Sequence, residues 1–275
     1  MKNTNRHILE FLEEWAPQST KLEYDNVGLL VGNSEQEPRK VLVTLDVTDE
    51  VVEEAIQKQA HLIIAHHPLI FRKLSRITED DAVGSLIYRL VKNDISLIAA
   101  HTNLDAAYGG VSFVLAEKLG LREIEFLKPS GSDNSERPSN VSEESGFGAI
   151  GTLEQPMAAD VFLRHVAQTL NVRGLRYSGF SDTISKVAVC GGSGVFLTDE
   201  AVKKGAHAYV TADIKYHEFF YGSSSFLLVD AGHYESEVPV IGALCDRLSG
   251  RFPDIEVIAS GVNTNPVNYL TVNPN

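Results

Sequence analysis

The stretch Leu62-Ile-Ile-Ala-His66-His67-Pro68 sets two adjacent imidazoles at the end of an apolar run. Imidazole binds transition-metal ions and moves protons near neutral pH, so its placement is the first thing to explain. Four apolar or small residues without alternation fit a strand covered on both faces, and the histidines then stand where that strand leaves its sheet. Pro68 disfavours a helical His67, and successive side chains of an extended segment point to opposite sides. On that reading the two rings diverge and serve two ions, one on each side of the strand tip. The same pair is also compatible with one ring on a backbone carbonyl and the other exposed.

Two further apolar runs repeat the pattern. Ser96-Leu-Ile-Ala-Ala100 ends in His101-Thr-Asn-Leu-Asp105, which adds a histidine and, four residues on, a carboxylate that a helical turn or tight loop would bring to the same ion. Phe226-Leu-Leu-Val-Asp230 leads to His233 and Glu237, again four apart. His66, His67, His101, His233, Asp105 and Glu237 thus make a set of imidazoles and carboxylates at three strand ends. Such a mixture suits two divalent ions of zinc, manganese, iron or nickel and is too rich in nitrogen for calcium. Thr211-Ala-Asp213-Ile-Lys215-Tyr-His217-Glu218 follows another strand and offers Asp213 and His217 to the rim of a site, with Lys215 and Glu218 read equally well as surface charge. Asp25 and Asn26, in a turn before Gly28, are candidates to line the site, although Asx residues in turns commonly bond their own backbone. The loop Gly191-Gly-Ser-Gly194, between a strand and a helix, has the form of a phosphate cradle but lacks a full dinucleotide fingerprint, and a plain tight turn explains it as well.

The elements that must position these residues alternate along the chain. Val41–Asp46, Leu62–Ala65 and Ser96–Ala100 read as strands, with helices over Asp49–Ala60, Ala82–Lys92 and Val111–Leu119 between and after them. That alternation predicts an α/β protein with a largely parallel sheet, flanked by helices, whose ligands gather beyond the carboxyl ends of its strands. From Lys128 to Gly146 the sequence turns polar and rich in serine and proline, the composition of a linker. The expected division is a first lobe over 1–128, completed by 230–275, a linker over 129–146 and a second lobe over 147–229.

Composition narrows the partners. In 275 residues, 37 acidic side chains outnumber 24 basic ones for a net charge of −13, which disfavours duplex nucleic acid and repels a triphosphate unless bound cations reverse the local sign. Residues 1–16 carry Ile8, Leu9, Phe11, Leu12 and Trp15 at helical spacing among glutamates, which describes an amphipathic surface helix and neither a signal nor a transit peptide. No apolar run approaches the ~20 residues of a membrane span. Two cysteines, Cys190 and Cys245, fit buried thiols in a reducing compartment. The expected location is the cytoplasm, with no membrane partner.

Taken in order, Asp25-Asn26-Val-Gly28, His66-His67-Pro68, His101-Thr-Asn-Leu-Asp105, Thr211-Ala-Asp213-Ile-Lys-Tyr-His217 and Gly232-His233-Tyr-Glu-Ser-Glu237 resemble the motifs of the GTP cyclohydrolase 1 type 2 homologues, the NIF-three-like family. The resemblance implies a two-lobed α/β fold with a dinuclear metal centre in the cleft and His66, His67, Asp105, His233 and Glu237 as ligands. His101 would be a further ligand or an acid/base beside the ions; one turn before Asp105, it is our choice for the catalytic proton carrier. It also implies a homohexamer, a chain of the short kind without an inserted domain, and hydrolytic opening of the imidazole ring of GTP with loss of formate. A metal-dependent phosphoesterase and a non-catalytic metal-binding regulatory or scaffold protein are the alternatives that the same residues allow.

Overall fold

Strands of four or five residues, apolar on both faces except at the polar ends Lys40, Thr44 and Ser96, form the centre of the first sheet. The computed structural model describes residues 3–131 and 145–270, which divide into two units, those up to Gly110 with 240–264 and those from Val111 to Pro239 with the ones from Asn265 onward. In the first unit, β1 (Gly28–Val31), β2 (Lys40–Thr44), β3 (Leu62–Ala65), β4 (Ser96–Ala99) and β11 (Glu256–Ala259) form a five-stranded sheet in the order β1-β4-β3-β2-β11. The pairs from β4 to β11 are parallel, and β1 runs antiparallel along the edge at β4.

Leu42, Ile63 and Leu97 turn one face of this sheet towards α2 (Asp49–Gln57) and α3 (Ala82–Lys92), where they pack with Val51, Val52, Ala55, Leu86, Ile87 and Leu90. Val41, Val43, Leu62, Ile64 and Ile98, the intervening residues, are buried as well, so both faces are covered and the continuous apolar runs are accounted for. Each flanking helix starts on a side-chain cap: Thr48 accepts from the Val51 amide and Asp81 from the Gly84 amide. α1 (Asn5–Trp15), with Ile8 and Leu12 buried, is the expected amphipathic helix, and its Phe11 meets Phe252 edge to face.

The second unit departs from the expected parallel sheet. Its six strands, β5 (Leu121–Pro129), β6 (Gly146–Met157), β7 (Arg176–Ser178), β8 (Ile184–Val189), β9 (Ala208–Thr211) and β10 (Leu227–Asp230), lie in the order β5-β6-β8-β9-β10-β7. Only β8 with β9 and β9 with β10 are parallel; β5–β6, β6–β8 and β7–β10 are antiparallel. Alternate residues again divide the core, Val187, Val189, Val210 and Val229 lying with Phe162 and Val166, and Ala188, Tyr209 and Leu228 with Leu197 and Ala201.

The boundary between units falls at Gly110–Val111, not at the 129–146 segment, because β5 belongs to the second sheet. Pro129 and Gly146, the ends of that segment, are direct partners in the β5–β6 pair, which makes it a connection within one unit; its residues 132–144 lie outside those described. β5 escaped the sequence reading because Arg122, Glu123, Glu125 and Lys128 break its apolar pattern, as charge does on an edge strand. Among the described residues no helix is long and apolar enough to cross a membrane.

Candidate metal centre

Parallel register brings the strand ends of the first unit side by side. Thr44 of β2 pairs with Ala65 of β3, and Ala65 with Ala99 of β4, so the residues that follow each strand collect at one edge. His66, His67 and His101 meet there: one ligand nitrogen from each lies within 4.8 Å of the others, and the three ring centroids are 4.9 to 5.3 Å apart.

The adjacent histidines therefore converge, against the expected divergence. The amides of His66 and His67 donate to consecutive carbonyls of the same neighbour, Thr44 (3.1 Å) and Leu45 (2.8 Å). In a regular strand, consecutive amides face opposite neighbours and side chains alternate. The alternation fails just past Ala65, and both rings turn to one side.

Each ring has its Nδ1 committed. His66 Nδ1 donates to the Ala100 carbonyl at 2.8 Å, His67 Nδ1 lies 2.7 Å from Asp46 Oδ1, and His101 Nδ1 lies 2.9 Å from Asp25 Oδ1. A carbonyl or carboxylate on Nδ1 fixes the tautomer in which Nε2 carries the lone pair, the arrangement common to metal-bound histidines. Asp105 closes α4 (Thr102–Asp105), the helical turn expected after His101, and its Oδ1 stands 3.6 Å from His66 Nε2. That separation is too long for a hydrogen bond. It fits two ligands of one ion, since atoms each ~2.0–2.1 Å from a metal stand about 3–3.5 Å apart.

The second unit builds its own histidine–carboxylate group by the same means. Asp213 follows β9, and α8 (His233–Glu237) follows β10, the neighbouring parallel strand. His233 Nδ1 lies 2.7 Å from Asp213 Oδ2 and its Nε2 lies 3.0 Å from Glu237 Oε2, the four-residue spacing having put both on one helix face. Burial favours a neutral His233, but the hydrogen bonds and charges of Asp213 and Glu237 outweigh it and raise its pKa to about 10. A cation held by His233 Nε2 and Glu237 would have to displace the proton shared between ring and carboxylate.

The Gly191–Gly194 loop is no phosphate cradle. The amides of Gly191, Gly192 and Gly194 donate to Ser112 Oγ (3.4 Å), Ser236 Oγ (3.0 Å) and Thr211 Oγ1 (2.9 Å). Its glycines admit the site's own carboxylate instead: a Cβ on Gly192, whose φ is +61°, would lie 2.1 Å from Glu237 Oε1. Asn26 is structural too, its Nδ2 donating to the Ile70 carbonyl at 2.7 Å. His217 stands on the exposed 3₁₀ segment Tyr216–Tyr221.

Sequence reasoning placed Asp213 only at the rim of a site and did not single out Asp46. Asp46 and Asp213 each hold a histidine from the next parallel strand, and each lies two residues past its own strand in the sequence Thr-X-Asp, Thr44-Leu-Asp46 and Thr211-Ala-Asp213. That repeated tripeptide is the signal that would have found them as a pair. Asp46 Oδ2 also accepts from Thr264 Oγ1 at 2.5 Å, which leaves the carboxylate little freedom. Asp46→Asn is expected to weaken metal binding by about 10- to 100-fold, the usual effect of removing a ligand's supporting carboxylate; calorimetric titration with Zn²⁺ or Mn²⁺ measures it.

Fold and donor set together define an α/β protein with histidine groups able to hold a metal ion. Residues 3–266 match the family described as Duf34/NIF3 (NGG1p interacting factor 3), and the chain belongs to that family. A Clostridium perfringens protein named "GTP cyclohydrolase 1 type 2 homolog" is 36% identical over 266 residues, covering 96% of this chain and 98% of its own. A Bacillus subtilis protein of the same name is 29% identical over 366 aligned positions, more than the 275 residues present here, so it carries additional sequence. Among solved structures, a Staphylococcus aureus hypothetical protein superposes with a TM-score of 0.89 at 31% identity, over 98% of this chain and 100% of its own. A Bacillus cereus protein related to NIF3 gives 0.87 at 29% identity, over 98% and 99%.

Proposed function

We propose that this protein is a dinuclear metal-dependent hydrolase acting on a nucleotide, with His66, His67, Asp105, His233 and Glu237 as its ligands and GTP as the substrate. The observation that carries the reading is the convergence of three imidazoles whose Nδ1 atoms are all committed to oxygen acceptors, so that Nε2 is the lone-pair atom of each, a metal donor on His66 and His67 and a proton acceptor on His101. Divalent ions there would lower the pKa of water and polarise the bond under attack. The name shared by the relatives supports a guanine nucleotide, with opening of the imidazole ring and release of formate.

The chain's own residues handle the protons. Asp25 is fixed by the Thr102 amide (3.0 Å) and hydroxyl (2.5 Å), and it in turn fixes His101. Burial alone would raise the Asp25 pKa, but the hydrogen bonds from His101 and Thr102 hold it well below the usual carboxylate range. A permanent carboxylate on Nδ1 stabilises the imidazolium that forms when His101 Nε2 takes a proton and prepares it to give the proton to a leaving group. Asp105, one turn further, acts as ligand.

His101→Ala is therefore expected to keep much of its metal and lose most turnover, whereas Asp105→Ala loses both. The assay follows formate release from GTP, beside phosphate release from simple esters, with Mn²⁺, Zn²⁺ or Fe²⁺ present. Ester cleavage without formate would assign a phosphoesterase, and no turnover of either would leave a metal-binding regulatory or scaffold protein. The proposal includes a homohexamer in the cytoplasm, and light scattering that gives any other chain count overturns that part.

A further inference from the structure

Among the described residues, the backbone is left-handed at five that are not glycine: Gln59, Asp94, Glu123, Asn171 and Asp213. Gln59, Asp94 and Asn171 each stand two residues past the end of a helix, where that conformation closes the last turn. Glu123 lies at the irregularity in the pairing of β5 with β6. Asp213, with φ +57°, has neither explanation, and its carboxylate is the one that stands 2.7 Å from His233 Nδ1. Such a conformation costs free energy in an L residue and persists only where the surroundings hold it, most often at functional sites.

What holds it is a carboxylate from the neighbouring strand. Asp230, the last residue of β10 and buried, accepts from the Ile214 amide through Oδ2 and from the Gly232 amide through Oδ1, each at 3.1 Å. One amide directly follows Asp213 and the other directly precedes His233, so a single side chain fixes the main chain beside both members of the pair. Arg176 of β7 stands behind it: its guanidinium pairs with Asp230 Oδ2 and donates to the Ile214 carbonyl at 3.2 Å, and it lies over the Phe219 ring, 5.3 Å from the centroid. Both polar groups of Ile214 are thus held, the amide by Asp230 and the carbonyl by Arg176.

We propose that Asp230, backed by Arg176, is the positioning residue of the second unit's histidine–carboxylate group: it keeps Asp213 in the turned conformation that presents its carboxylate to His233 Nδ1, and so keeps His233 Nε2 and Glu237 aligned for an ion. The inference rests on the reading of His233 and Glu237 as ligands. A strand-end aspartate that merely satisfied loop amides would support the fold and leave the donor atoms where they are. The left-handed Asp213 makes the difference, because nothing keeps it turned once the Ile214 amide is released. Groups that orient a ligand act on metal affinity through that orientation.

The test combines three measurements on the full chain: calorimetric titration with Zn²⁺ or Mn²⁺, the melting temperature without metal, and the proton NMR signal of the His233 Nδ1–H without metal, which its carboxylate acceptor protects from exchange with water. His233→Ala is the reference that identifies the ion being read. Asp230→Asn keeps the size of the side chain but turns a donor towards one of the two amides; it weakens that ion by about 10- to 100-fold and loses the His233 signal. Arg176→Leu changes a side chain that is 62% exposed, so the core stays intact, and gives a smaller loss of the same sign. It decides the matter if Asp230→Asn does not fold. Variants that melt lower but bind metal and show the His233 signal as wild type does overturn the proposal and leave Asp230 a support of the fold alone. Weaker metal binding with the signal unchanged overturns the route through Asp213. Equal metal uptake by wild type and His233→Ala overturns the ligand reading instead, while a signal lost in Asp230→Asn still upholds the positioning role.

Discussion

Gly192→Ala is expected to lose the metal binding proposed for His233 and Glu237 and to destabilise the second unit by about 1–3 kcal/mol, the range for forcing an atom into a packed site. The added Cβ would stand 2.1 Å from Glu237 Oε1 and 3.2 Å from His233 Cε1. The loop has little room to retreat, because the Gly192 amide is bonded to Ser236 Oγ and its carbonyl accepts from the Ala212 amide and Thr211 Oγ1. Glu237, almost fully buried, must move instead. Gly205 provides the control: its φ is +73°, but nothing lies within 4 Å of an added Cβ. Gly205→Ala should show only the backbone cost, about 1–2 kcal/mol, with metal binding intact. Denaturant titration and Zn²⁺ or Mn²⁺ calorimetry on the two variants check this; a Gly192→Ala protein that binds metal like wild type contradicts the close approach.

Asp25→Ala is expected to cost about 3–5 kcal/mol, because it leaves an imidazole and two Thr102 donors facing a vacated buried position. The Asp25 side chain is fully buried, and three donors reach its two oxygens besides its own contact to the Asn26 amide. The pH dependence has a definite sign. A carboxyl whose folded pKa lies below its unfolded one, ~3.9, contributes its stabilisation in full above that value and loses it as pH falls towards the folded pKa. Wild type should therefore lose stability below about pH 4 more steeply than Asp25→Asn, which has no proton to gain there. Denaturation midpoints from pH 2 to 7 measure the difference, and parallel acid limbs would show that Asp25 contributes nothing there.

Apolar runs that end in histidine made the first unit legible in the sequence, because a strand buried on both faces leaves an unbroken pattern and its polar ends must lie at the sheet edge. Ligand candidates came with it, since His66, His67 and His101 each sit within two residues of such an end. Their convergence did not, because it depends on where the strand alternation fails, and that is set by which carbonyls of β2 the two amides meet. Asp46, and the histidine partner of Asp213, were hidden for a related reason. They act across a strand pair, and sequence distance from Asp46 to His67 says nothing until register is known. The antiparallel flank of the second sheet was obscured by charge on β5, and the glycine loop left two readings open because glycine admits a neighbour's carboxylate as readily as a phosphate.

The central claim is that the three-histidine cluster of the first unit is a metal site. Elemental analysis of metal-loaded, gel-filtered protein, comparing wild type with His66→Ala and His67→Ala, tests it most directly. The account predicts two divalent ions per chain in wild type and loss of at least one in each variant, with the fold retained by circular dichroism. Wild type that takes up no metal, or variants that retain two ions per chain, would contradict it.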